Sequence, residues 1–343
     1  MSKEFREFLR KVGSGTHTSK SLTRQEAEMA TIMMLKGEAT PAQIGAFMIA
    51  HRIKRPTSEE LAGMLDAYKL LGASIAPIAH ERQVLVFGSP YDGRSKTAPV
   101  SLATSLVLAA AGIPVLLHGG DRMPTKEGMP LIDIWQALGI NWRDRAITDL
   151  HKALEQQHLS FVYLPQHFPL AQSLVPYREQ IGKRPPFATL ELMWSPYQGN
   201  QCIISGFVHP PTEVHIREAF AMHGISEFVT VKGWEGSVDL ARSRTNIIGI
   251  NHGDHFERVI LAASKYGFSN QDPAIADADT IANYITTALK GEPSEYLNSI
   301  LWNCGFYFWI AGLATDISQA IIYAQEIIDN GLAMQKLQDL QRS

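Results

Sequence analysis

The stretch Gly88-Ser89-Pro90-Tyr91-Asp92-Gly93 has the residue types of an anion-holding loop. It follows a β-rich apolar run at 84–87 and leads into a second apolar run at 102–115. A loop between a strand and a helix grips phosphate with bare backbone N–H groups, and glycines let the ligand come close. Gly88, Ser89, Asp92 and Gly93 fit that chemistry. Pro90 and Tyr91 at the tip oppose it, because proline has no N–H to donate and tyrosine adds bulk where a phosphate would rest. The expectation is an anion site with part of its chemistry removed. A second cluster, His252-Gly253-Asp254-His255, lacks a clear third metal ligand and reads as a solvated turn.

Helices must fill 3–72. Thr23 with Glu26, Thr40 before Pro41, and Thr57 ahead of Glu60 are helix starts. Short β-like runs follow at 84–87, 114–117, 161–164, 201–207 and 227–231, with helical stretches at 132–138, 213–222, 275–289 and 317–329. Trp302, Phe306, Tyr307, Phe308 and Trp309 continue a helical apolar run and read as core. Strands alternating with helices predict an α/β fold, with a small all-α N-terminal domain and a mostly parallel sheet flanked by helices. Ligands on such a sheet sit beyond the carboxyl ends of its strands. The loops at 88–99, 118–130 and 232–246 should therefore open on one face.

The 343 residues suffice for two domains, and 45% apolar with 19% charged residues is the balance of a soluble globular chain. A net charge of −3 gives no global argument for nucleic acid or membrane binding. Cys202 and Cys304 fit neither a disulfide framework nor a cysteine metal site, and the N-terminus carries no apolar leader, so a reducing cytoplasm is expected. The longest apolar run, 102–117, is too short and interrupted to cross a bilayer.

From about Leu22 onward, the motifs resemble anthranilate phosphoribosyltransferase and its nucleoside phosphorylase-like relatives, as a divergent branch. Lys36-Gly37-Glu38-Ala39-Thr40-Pro41 is similar to the helical signature of that family, and Pro176-Tyr177-Arg178 through Lys183-Arg184 to its arginine segment. Leu117-His118-Gly119-Gly120, with Lys126 and Gly128, resembles its second phosphate loop. The resemblance implies a helical domain over 1–75 with a return segment near 165–185, and a larger α/β domain over 76–164 and 186–343. It also implies a cleft between them, a homodimer through the helical domain, and transfer of the ribosyl group of phosphoribosyl pyrophosphate with magnesium.

It further implies an anion site at Gly88, Ser89, Asp92, Gly93, Ser101, His118, Gly119 and Lys126, an acceptor or groove set of Arg178, Arg184, Arg94, Lys96 and Arg122, and metal ligands at Asp239 and Glu235. The family loop Gly-Thr-Gly-Gly-Asp-Gly keeps only its outer residues here. The family's Asp-Glu metal pair aligns with Val238-Asp239, and Glu191 replaces a glycine beside the expected anthranilate carboxylate. His118 is expected to line the cleft, while Glu191 and Glu235 also read as solvated charges. Ten basic residues fall in cleft segments of the resembled fold. Three functions stay open: a transferase with altered donor and metal sites that does not act on anthranilate, a non-catalytic protein binding nucleic-acid phosphates in a basic groove, and a nucleoside phosphorolase.

Overall fold

The computed structural model describes residues 3–15 and 17–342. Its opening helices are α1 (Lys3–Gly13), α2 (Arg24–Leu35), α3 (Pro41–Lys54) and α4 (Ser58–Leu71). Thr23, Thr40 and Thr57 cap α2, α3 and α4, and Glu26, Gln43 and Glu60 return a bond to each cap's own N–H. Each cap contributes about 1 kcal/mol. Buried Glu60 also accepts from Leu22 N–H at 2.9 Å and Lys54 Nζ at 2.8 Å, tying the start of α2 to the α3–α4 joint.

Seven strands form one sheet in the order β3-β2-β1-β4-β5-β6-β7. They are β1 (Val84–Phe87), β2 (Val115–Gly119), β3 (Leu159–Tyr163), β4 (Gln201–Phe207), β5 (Glu227–Lys232), β6 (Asn246–His252) and β7 (His255–Leu261). The first five in spatial order pair in parallel, and β6 and β7 add antiparallel. Strands β1–β3 are buried throughout, as a sheet covered on both faces requires. The sequence reading contains no β6–β7 hairpin. This edge is half-solvated and breaks the apolar-run pattern that marks the other strands. Gly253-Asp254 is its two-residue turn, with Gly253 at φ 57°, so the histidine cluster does sit in an exposed turn.

After β3 the chain returns to the helical domain through short helices at Leu164–His167, Pro169–Gln172, Val175–Ile181 and Phe187–Leu190. Tyr68 of α4 meets Phe168 edge-on at 5.0 Å and Trp194 at 5.9 Å, an aromatic seam between the two layers. The helix Glu295–Ile310 buries Trp302, Phe306, Tyr307 and Phe308 as expected. It also clamps the loops above the sheet. Tyr307 Oη donates to Val238 O and Tyr296 Oη to Pro99 O, both at 2.5 Å, and Asn303 exchanges bonds with Leu240 N–H and C=O. No helix among the described residues is long and apolar enough to cross a membrane.

Candidate active site

The loops after β1, β2 and β5 meet at the carboxyl ends of the parallel strands, as their alternation with helices requires. Gly88 leaves β1 with its N–H on Ile204 O at 2.8 Å, and a Cβ there would lie 2.3 Å from Leu192 O. Beyond it, Gly93 (φ 76°) passes Gly128 backbone to backbone, where a Cβ would stand 2.4 Å from Gly128. The N–H groups of Gly93, Arg94, Gly128 and Met129 are used inside this contact. Gly93 N–H bonds Pro90 O at 2.9 Å, Gly128 N–H bonds Asp92 O at 2.9 Å, and Arg94 and Met129 exchange bonds at 3.0 and 2.7 Å. What remains near Gly88, Ser89, Ser101 and Ser237 is a cavity of about 20 Å³. A small-molecule pocket usually offers about 300–1,000 Å³, and this space is far smaller.

Glu235 explains much of the closure. Its side chain is 5% exposed and stands among donors. Ser95 N–H reaches it at 3.1 Å, Lys96 N–H at 3.2 Å, Ser95 Oγ at 2.7 Å, Lys126 Nζ at 2.9 Å and Arg94 Nε at 3.3 Å. Burial works to raise the Glu235 carboxyl, but bonds from Ser95 and Lys126 outweigh it and hold the group at about 2. Arg94 then reaches Asp239 Oδ2 at 2.5 Å, and Val100 N–H donates to the same oxygen. Asp92, 1% exposed, faces Arg184 Nε at 3.0 Å and Lys126 Nζ at 3.8 Å, and neither of its carboxylate oxygens accepts a hydrogen bond among the described residues.

The two carboxylates expected to ligate magnesium thus hold a guanidinium between them. Magnesium takes near-octahedral oxygens and keeps several waters. Arg94 places fixed positive charge at Asp239 Oδ2, Asp239 Oδ1 is left buried without a hydrogen-bond partner among the described residues, and neighbouring Val238 offers no ligand. No cluster of three His, Cys, Asp or Glu able to hold a metal occurs among the described residues. These residues do not fit magnesium.

On the acceptor side Arg178 is buried and forms an ion pair with Glu191, itself 2% exposed. Burial, the largest influence, lowers Arg178 to about 10, so it stays charged near neutrality. Glu191 and Glu235 are therefore internal partners, not solvated charges. His118 departs from expectation as well. It is fully buried under Trp194 (rings 5.4 Å apart), with Nδ1 2.6 Å from Tyr91 Oη. Burial lowers it to about 3 and keeps it neutral. Tyr91 turns into the core, 3% exposed, instead of standing over the loop. Gly119 lies in β2 against the Phe161 ring. Lys96 and Arg122 are exposed, Arg122 donating to Glu127 O at 2.8 Å.

The open space lies to one side. A cleft of about 360 Å³ between the helical and α/β layers is lined by Arg52, Arg184, Thr189, His209, Thr212 and Glu235. Arg52 carried no signal in the sequence, because α3 reaches the cleft only once the layers pack.

The family model for the helical bundle domain of the glycosyl transferase family matches residues 6–70, and the model for its a/b domain matches residues 92–334. The anthranilate phosphoribosyltransferase of Lactiplantibacillus plantarum is 30% identical over 94% of this chain and 96% of its own length. This chain belongs to the anthranilate phosphoribosyltransferase family. The Azorhizobium caulinodans enzyme of the same name is 26% identical over 99% of the chain. The crystal structure of the Thermus thermophilus anthranilate phosphoribosyltransferase superposes with a TM-score of 0.80 at 19% identity, covering both chains in full. The Saccharomyces cerevisiae enzyme in complex with PRPP and Mg superposes with a TM-score of 0.84 at 16% identity over 98% of each chain. Both share the fold.

The cations of the cleft segments are largely paired. Of the ten cleft cations read from the sequence, Arg94, Arg122, Lys126, Arg178, Arg184 and Arg242 are paired with carboxylates. Arg244 stacks 4.0 Å over Trp234.

Proposed function

We propose that this chain is a phosphoribosyltransferase homologue whose donor and acceptor positions are held by its own carboxylates, so that it does not transfer phosphoribosyl to anthranilate. The observation that carries this reading is the buried Arg178–Glu191 pair. An aromatic carboxylate arriving at Arg178 would have to displace Glu191 and leave that charge unpaired in the interior, at a cost of several kcal/mol. The donor side supports the same reading. The 20 Å³ cavity and the guanidinium at Asp239 leave no room for a diphosphate with its cation. The remaining 360 Å³ cleft, bordered by Arg52 and Arg184, suits a phosphorylated ligand whose other end carries no carboxylate.

The test is direct. The protein is incubated with phosphoribosyl pyrophosphate, magnesium and anthranilate, and the loss of anthranilate fluorescence is followed. No consumption above the protein-free control is expected. Turnover at enzymatic rates would overturn the reading.

A further inference from the structure

We propose that a crevice at the amino ends of β4 and β5 binds a neutral single-ring aromatic that carries one O–H or N–H donor. It lies at the end of the sheet opposite the candidate active site. The crevice holds about 180 Å³ and runs between Leu65 and Lys69 of α4 on one side and Met193, Ile203, His223 and Ile225 on the other. Leu65, Met193 and Ile203 are buried, so its floor is aliphatic. An apolar cavity of about 150 Å³ is enough to hold benzene, and this space therefore takes one ring.

His223 sets the chemistry of the ligand. Its side chain is 8% exposed, with Nε2 2.9 Å from Ala62 O and 3.6 Å from Asp66 Oδ1. A carbonyl oxygen only accepts, so Nε2 carries the proton and Nδ1 of the neutral ring presents a lone pair. Nδ1 has no hydrogen-bond partner among the described residues. Asp66 is already held by Arg24 at 2.6 and 2.8 Å. Other polar groups of the wall are spent on one another: Gln201 donates to Tyr197 O at 3.1 Å and accepts from Ser195 Oγ. Lys69 stands exposed at the mouth. A buried acceptor without a donor is costly, and a ligand O–H or N–H removes that cost. A carboxylate would instead set its charge against the lone pair and the aliphatic floor.

The crevice also has a distinct place between the layers. The helix Pro210–Met222 runs beside α4, with His215 Nδ1 2.9 Å from Ser58 Oγ near their starts and His223 on Ala62 O further along. The 360 Å³ cleft opens beside the first residues of this seam, at Pro56, His209 and Thr212. The crevice opens beside the last, at Lys69 and Ile225. A ring bound there touches the helical and α/β layers at once and stays out of the cleft, whether or not the protein transfers phosphoribosyl.

The full chain, labelled isotopically in its methionine methyl groups, is titrated with phenol, toluene and benzoate and followed by NMR, with the Met193 resonance assigned through Met193→Leu. Phenol should shift the Met193 methyl by its ring current with a Kd of about 1 mM or below. Toluene, which has no donor, should bind about fivefold more weakly, and benzoate should leave the resonance in place. His223→Leu should remove the preference for phenol over toluene. Ile225→Trp, which fills the crevice from its half-buried rim, should abolish both shifts and serves if the His223 variant does not fold. An unmoved Met193 methyl with phenol at about ten times that concentration would overturn the proposal. So would equal binding of phenol and toluene to the parent, a phenol shift that survives Ile225→Trp, or a benzoate shift as large as that of phenol, which would mark Lys69 as the selecting group.

Discussion

On the donor side the occupying carboxylate comes from a distant loop, Glu235 meeting Ser95 and Arg94 across 140 residues or more of sequence. Two of its partners have other acceptors. Arg94 keeps Asp239 and Thr97, and Lys126 keeps Gly93 O at 3.1 Å. On the acceptor side, Arg178 and Glu191 stand 13 residues apart in one segment, both buried, and Glu191 is the carboxylate with which Arg178 pairs. The comparison separates two ways of filling a site from within. A plug in a shared network beside an open cleft can be removed with its cationic donors, Arg94 and Lys126, still bonded elsewhere. A two-membered pair in the interior cannot lose one member without leaving a bare charge.

The sharpest way to break that comparison is Glu191→Ala. Removing one partner of a buried ion pair costs about 3–5 kcal/mol, so the urea midpoint should fall steeply. Anthranilate or benzoate at saturation should restore part of the lost stability to the variant and none to the parent, because only the variant offers a free guanidinium. A loss below about 1 kcal/mol would mean that Arg178 finds water or another acceptor, and the distinction between the two sides would fail.

The boundary between the halves gives a pH test. Tyr91 of the donor loop bonds His118, which packs under Trp194, just beyond the return segment. His118 is lowered to about 3 in the folded chain by burial, from an ordinary value of 6.5. The unfolded chain therefore binds more protons between these values, and this contribution to stability is complete above pH 6.5 and lost as pH falls toward 3. Tyr91→Phe should cost about 1–3 kcal/mol by leaving a buried ring nitrogen without its partner. Imidazole NMR shifts should show His118 neutral at pH 5; a protonated ring there would place it in contact with solvent.

Much of the architecture was legible. Thr23, Thr40 and Thr57 cap through neighbours three residues away, an arrangement local enough to read directly. Strands β1, β4 and β5 announce themselves as apolar runs because both faces are covered. The three loops then meet where parallel strands end. The hairpin at 246–261 was not legible, since its exposed edge mixes Asn, His, Glu and Arg with its apolar residues. The site was legible as a location and misread in content. Whether Glu191 and Glu235 are solvated or paired depends on partners that only folding brings near. The direction of Tyr91 depends on the space beside His118, on another strand.

The smallest expected effect sharpens the comparison most finely. Glu235→Gln keeps an acceptor for Ser95 and Lys96 N–H while Arg94 and Lys126 retain Asp239 and Gly93 O. Exchanging a carboxylate for an amide in a network of this kind should change stability near neutral pH by about 0.5–1.5 kcal/mol, well below the Glu191→Ala loss. The sign with pH follows from the Glu235 carboxyl, held at about 2 in the folded chain against an ordinary 4.5. Its stabilisation is present above pH 4.5 and is lost as pH falls toward 2. The parent should therefore lose stability in acid faster than the variant, and the two curves should converge. Parallel curves from pH 6 to pH 2.5 in urea titrations would mean that Glu235 is already solvated, and the donor side would then be open without a gate.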